Sequence, residues 1–252
     1  MKKLIAILLV LVMMLGIVAC APAENPNNEN NNPPASTAMT HAEYLAAEDA
    51  APVEIECYVQ ATQSWWDNKI VIYAQDKIGG YIAYNVTCTQ EEAAQLVPGT
   101  KINIKGYKTF YKGMPEVAEG ATFTVVEGAD TYVAPAEVMT NLLGKKELID
   151  KVGVLAAFQG LTIKSITYKN DAPGDDIYVD FTLGEDTYSF CVERYLTDPE
   201  TEVYKAFAEL KAGDVVDVQG FVYWYDADVE PGVASENAFG INTHITKVTK
   251  VG

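Results

Sequence analysis

LVPGTKINIKGY, residues 96–107, returns 114 positions later as LKAGDVVDVQGF, residues 210–221. Leu96 is matched by Leu210, Gly99 by Gly213 and Gly106 by Gly220. Between the glycines, Ile102 and Ile104 alternate with polar residues as Val216 and Val218 do, which is the period of a half-buried strand. The first glycine of each pair reads as the turn into that strand and the second as a bulge or tight bend within it. A strand that bends at glycine is how a sheet curls into a barrel.

The repeat extends outward. MTHAEYLAAEDAAPVEIECYV starts at Met39 and MTNLLGKKELIDKVGVLAAF at Met139, each with a threonine N-cap, a short helix and an alternating strand. Two domains follow, at 39–130 and 139–252, joined by the linker TYVAPAEV at 131–138. In the first, strands are expected at 53–62, 69–75, 80–87, 100–110 and 121–127, with a helix near TQEEAAQL. A helix between the third and fourth of five strands is the order of an OB barrel. Small SH3-like barrels, the main rival, lack it. The expected fold is mainly β: two tandem five-stranded OB-like barrels, each with a short leader helix and a helix between strands 3 and 4.

THAEYLAA, IYAQDKIGGYIAYNVT and LVPGTKINIKGYKTFYKGMPEV resemble the OB-fold domains of bacterial secreted lipoproteins and of proteins carrying extracellular nuclease domains. The matching positions are Gly99, Ile102, Ile104, Gly106, Tyr111, Gly113 and Pro115, with Glu116 where the pattern has another polar residue. The second domain replaces FYKGMPEV with the longer YWYDADVEPGVASENAFG. The resemblance implies an accessory binding domain, and no separate nuclease domain is expected beside it.

Ahead of the repeats, MKKLIAILLVLVMMLGIVAC has the layout of a secretory signal. Its apolar run is short for a spanning helix, which needs about 20 residues. Ile17-Val18-Ala19-Cys20 resembles a lipobox, so residues 1–20 are expected to be a lipoprotein signal with Cys20 as the acylated residue. Residues 21–38, rich in Asn and Pro, read as a disordered tether reaching about 20 to 25 Å. The expected location is the extracytoplasmic face of a bacterial membrane.

Without Lys2 and Lys3, 16 basic residues face 35 acidic ones, a net charge of −19, and Arg194 is the one arginine. Polyanions are held through Lys and Arg that displace counterions, so this balance disfavours nucleic acid.

Little in the chain points to catalysis. His41 and His244 have no metal-ligand spacing and read as surface or edge residues, and no serine sits in a nucleophile elbow. Cys57 falls on the inward parity of the first strand and reads as core, while an oxidising exterior permits a bridge to Cys88. Asp175-Asp176 is too common a pair in so acidic a chain to mark an acid and base. The chain therefore reads as a non-enzyme without a cofactor. Asp226, Asp228 and Glu230 alternate as calcium ligands do, but Pro231 and Asn237 break the EF-hand pattern, and the cluster reads more simply as a solvated acidic loop.

The aromatic residues concentrate at the loops that flank the usual OB binding face: Trp65, Trp66, Phe110 and Tyr111 in the first domain, Tyr223, Trp224 and Tyr225 in the second. Neighbours in an extended chain point to opposite sides. Trp66 is expected to cap the barrel and Trp65 to be exposed. The expected function is binding of a neutral or cationic partner, a glycan or a surface protein. Nucleic-acid binding and a structural spacer are the alternatives.

Overall fold

The structure, a computed structural model, describes residues 37–225, 240–241 and 243–251. After helix α1 (His41–Ala46), β1 (Pro52–Thr62) turns Val53, Ile55, Cys57 and Val59 inward. Thr40 is the N-cap of α1, and Glu43 bonds back to the Thr40 backbone to complete a capping box. β1 pairs antiparallel with β2 (Lys69–Gln75) on one side and β4 (Lys101–Tyr111) on the other, and a bulge between Val59 and Ala61 lets it serve both.

β2 pairs with β3 (Gly80–Thr87), and helix α2 (Gln90–Ala93) leads into β4. β5 (Met114–Val117) pairs antiparallel with β4 and lies parallel to β3 through Ala83 and Val117. The circuit β1-β2-β3-β5-β4 closes on itself as a five-strand barrel of OB order.

The closing strand is not the one expected at 121–127. Lys112 and Gly113 have φ of 47° and 88°, the two positive values of a tight hairpin turn, so the chain re-enters the sheet at once. Pro115 can donate no ladder bond, which weakens the strand signal of this stretch. The later segment is β6 (Thr122–Val125), an additional strand beside β4.

A second sheet begins with β7 (Glu137–Val138), parallel to β8 (Leu155–Tyr168). β8, β9 (Ile177–Leu183) and β10 (Asp186–Val192) form an antiparallel meander. Helix α3 (Glu202–Glu209) precedes β11 (Val215–Phe221), and β12 (Trp224–Tyr225) pairs with β13 (Gly240–Ile241). β14 (His244–Lys250) lies parallel to β10 and antiparallel to β11, which pairs in turn with β8. The leader expected at Met139 is not α-helical. Two 3₁₀ segments, Thr140–Leu142 and Lys146–Lys151, flank Gly144 at φ 72°, and the Thr140 hydroxyl accepts from Gln159 N (2.8 Å) rather than capping a helix.

Of the two matched glycine pairs, the second, Gly106 and Gly220, differs: a bulge lies between Gln219 and Gly220 in the β11–β14 pairing, whereas the β1–β4 register runs unbroken through Gly106. The first pair behaves alike. Gly99 and Gly213 take φ of 93° and 92° in the turns before β4 and β11, a region open to glycine at little cost.

The segment 131–138 is anchored to β1. Gln60 donates to Tyr132 O (3.1 Å) and accepts from Ala134 N (2.8 Å). The two sheets pack on one another through a third apolar cluster: Val71, Tyr73, Ile82 and Met114 against Val152, Phe221 and Trp224. Tyr73 stacks on Phe221 with centroids 4.8 Å apart, and its hydroxyl lies 2.6 Å from His244 Nδ1. This is why β2 reads apolar without alternation from Ile70 to Ala74: one face meets the barrel core and the other the second sheet.

Both histidines are buried, not at the surface or an edge. His41 packs edge-on to Tyr81 (5.2 Å), and burial lowers His244 to about 4. Cys57 is core as expected, and Cys57, Cys88 and Cys191 are free buried thiols.

Candidate functional site

The β1–β2 connection ends in a tight turn. Asp67 and Asn68 have φ of 50° and 59°, and Trp66 and Lys69 exchange both backbone hydrogen bonds at 3.0 Å. Residues opposite one another in an antiparallel pair share a side of the sheet. Ile70 points into the barrel, so Lys69 and Trp66 point out and Trp65 points in. The two tryptophans do face opposite ways, but the expected assignment is reversed. Trp65 packs against the barrel core and donates Nε1–H to Cys88 O (3.0 Å), whereas Trp66 is 74% exposed.

Trp66 lies on a groove of about 600 Å³ with Tyr84 from β3, Tyr111 from the end of β4, and Tyr195 from the segment after β10. All four rings are exposed, the tyrosines by 43%, 46% and 52%. Lys69, Lys169 and Glu193 carry the formal charges of the lining. The floor includes Ile70 and Val71 of β2, so the groove occupies the strand 2–3 face between the first and last loops, where OB barrels seat ligands.

The other expected site residues divide. Tyr111 joins Trp66 in the groove. Phe110 lines a smaller cavity of about 130 Å³ with Trp224 and Lys108, whose ammonium stands 4.8 Å above the Phe110 ring and donates to Leu45 O and Ala47 O (both 2.7 Å). Trp224 is buried at the sheet–sheet contact and donates to Ile149 O (3.3 Å), so it is an interior anchor and not an exposed platform. Tyr223 is half-buried and stacked on His244 at 4.2 Å. The Tyr225 side chain, Asp226, Asp228, Glu230 and Cys20 lie outside the described residues. Tyr84, Tyr195 and Glu193 were missed. Tyr84 was legible as an outward position on the third strand, while Tyr195 and Glu193 arrive by long-range packing.

The charges are unevenly committed. Lys69 pairs with Glu119, and Lys169 with Asp176 at 2.8 Å. Glu193 accepts from the backbone N–H of Tyr195 (3.0 Å) and Leu196 (2.8 Å) through Oε2 alone, and burial pushes its carboxyl up to about 7. Glu116 on β5 is buried, bonds through its side chain to none of the described residues, and is likewise pushed up to about 7 by burial.

Glu116 yields a prediction. Its carboxyl would titrate near 4.5 in the unfolded chain, so burial costs nothing below that pH, and the cost grows as pH rises through the folded value of about 7. Glu116→Gln is expected to stabilise the protein by up to about 3 kcal/mol at pH 8 and to change little at pH 4.5, read from urea midpoints at the two pH values. An equal effect at both would mean that the carboxylate is not desolvated.

These features define a mainly β protein with a closed five-strand barrel of OB order and an aromatic groove on the strand 2–3 face of that barrel. No protein-family model and no curated protein sequence matches the chain. Among solved structures it is similar to a murine DNA-binding protein bound with double-stranded DNA, 13% identical over 80% of this chain and 100% of that one, TM-score 0.38. It is similar to the p204 HINb domain at 10% identity over 81% and 100%, TM-score 0.37, and to a replication protein A heterotrimer bound to single-stranded DNA at 11% identity over 69% and 45%, TM-score 0.31. At these values the likeness assigns no function to this chain.

Proposed function

We propose that this protein is a lipid-anchored, non-catalytic, extracytoplasmic binding protein built from two copies of one OB-type module, with its ligand seated on the groove of the first. Support for the duplication comes from the second sheet, whose pairings run β8-β9-β10-β14-β11 and back to β8 as the first run β1-β2-β3-β5-β4 and back to β1. α3 occupies the place of α2, and Gly213 that of Gly99. The lipid anchor rests on the signal layout and Cys20, and the kinship with secreted lipoprotein OB domains on the motif around Gly99–Pro115.

The observation that carries the binding reading is four exposed aromatic rings converging on the strand 2–3 face. Exposed rings scattered singly need no explanation, whereas a cluster of them in a groove is a stacking surface. Trp66→Ala is expected to weaken ligand binding about tenfold, the scale of one lost stacking contact, and to alter folding stability by no more than about 0.5 kcal/mol.

The ring partner fits a neutral glycan or a surface protein, given the net charge. The second reading is a single-stranded nucleic acid stacked on the same rings, with Lys69 and Lys169 beside the backbone. Against it stand the acidic surface and the prior pairing of both lysines.

Tryptophan fluorescence of the full chain in detergent, titrated with neutral oligosaccharides and with oligonucleotides at two salt concentrations, separates the readings. A polyanion contact weakens steeply with salt and a stacked neutral sugar does not. Silence toward every probe, with Trp66→Ala unchanged, would leave the groove as a structural surface and the protein as a spacer.

A further inference from the structure

The groove has one uncommitted charge, and it is negative. Lys69 and Lys169 are neutralised by Glu119 and Asp176, whereas Glu193 forms no ion pair among the described residues and uses only Oε2 for its hydrogen bonds. Lys169 and Asp176 also face Glu193 and act on it in opposite senses. Arg194, next in the chain, turns its guanidinium over the Tyr195 ring at 5.1 Å. Around this lie the faces of Trp66, Tyr84, Tyr111 and Tyr195.

Aromatic faces attract cations, most of all when the site is shielded from water, and a half-buried carboxylate gains from the same partner. Rings and carboxylate therefore ask for one kind of ligand. A primary ammonium is a compact, strongly hydrated point charge that is costly to bring among rings, whereas an alkylated one presents methyl surface all round and keeps its charge.

Resting on the reading of this groove as the ligand site, we propose that it binds a small quaternary ammonium compound, with the onium group among Trp66, Tyr84, Tyr111 and Tyr195 and paired with the free oxygen of Glu193.

The test uses the full chain in detergent at pH 8, with choline and with its uncharged analogue in which carbon replaces the nitrogen. The proposal expects choline to quench Trp66 fluorescence saturably and to bind at least tenfold more tightly than the analogue. Glu193→Gln should erase most of that preference, and Trp66→Ala should weaken binding of both. Equal binding of the two compounds, or a preference that survives Glu193→Gln, overturns the cation assignment and leaves the stacking groove standing. So does a neutral oligosaccharide that saturates the same signal while choline gives none. No response to choline, oligosaccharide or oligonucleotide overturns both readings.

Discussion

Gly80→Ala is expected to cost about 3 kcal/mol or more, seen as a large drop in the urea midpoint, because no side chain can move aside to admit the added methyl. A Cβ at Gly80 would stand 2.2 Å from Gly153 C, 2.4 Å from Val154 N and 2.6 Å from Val152 O, all backbone atoms of the segment that enters the second sheet. That segment cannot retreat. Gly153 N donates to Val222 O (2.8 Å), Val222 N donates to Val154 O (2.9 Å), and Leu155 N donates to the Gln75 side chain (3.1 Å). The strain therefore falls on the whole contact between the sheets. Gly79→Ala is the comparison: the atoms nearest its methyl would be those of the buried His41 ring, at 2.3 to 2.5 Å, a side chain that must shift against Tyr81 but is not fixed backbone, and a smaller loss than at Gly80 is expected. Equal, small losses at the two positions would mean that the backbones do not meet at Gly80.

The same contact shows what the sequence could and could not disclose. Alternation at Ile102 and Ile104, the turn at Gly99 and the cap at Thr40 are local signals, and they mark β4 and α1. Thr140 shows the limit, since the same signal there heads no α-helix. The solid apolar run at 70–74 is the signature of a strand covered on both faces, but what covers the outer face, Val152, Phe221 and Trp224, lies about 80 to 150 residues away, and no local pattern carries that. Trp65 and Trp66 fail for a narrower reason. Parity says that they diverge, while the absolute phase is set by the turn, and Asp67-Asn68 was the sign that Trp66 sits opposite Lys69. The closing strand carries a weak signal at Pro115, since a proline can donate no ladder bond even where a two-residue turn has already returned the chain to the sheet. In the groove, Trp66 and Tyr111 were legible from their loops, whereas Tyr195 and Glu193 enter only because the second sheet packs against the first.

Trp224→Ala should separate the two kinds of aromatic residue that the sequence grouped together. Trp224 is 3% exposed and lies among Tyr73, Ile82, Met114 and Phe221, with Nε1–H bonded to Ile149 O. Truncating so large a side chain in a packed interior costs about 3 to 5 kcal/mol, since the transfer energy is lost and the cavity closes only in part. The loss falls on the contact between the sheets and not on either barrel's own core, so unfolding is expected to divide into two transitions when followed by far-ultraviolet circular dichroism and by fluorescence of the remaining tryptophans. Trp66→Ala should leave one transition at nearly the parental midpoint while binding falls. If Trp224→Ala instead abolished binding with its midpoint intact, Trp224 would be a ligand contact after all and the groove around Trp66 would lose its claim. The expected crossing, stability lost at Trp224 and affinity lost at Trp66, follows from burial alone: an aromatic ring with neighbours on every side contributes to the fold, and one that is 74% exposed in a groove of other rings has its best contacts still to make.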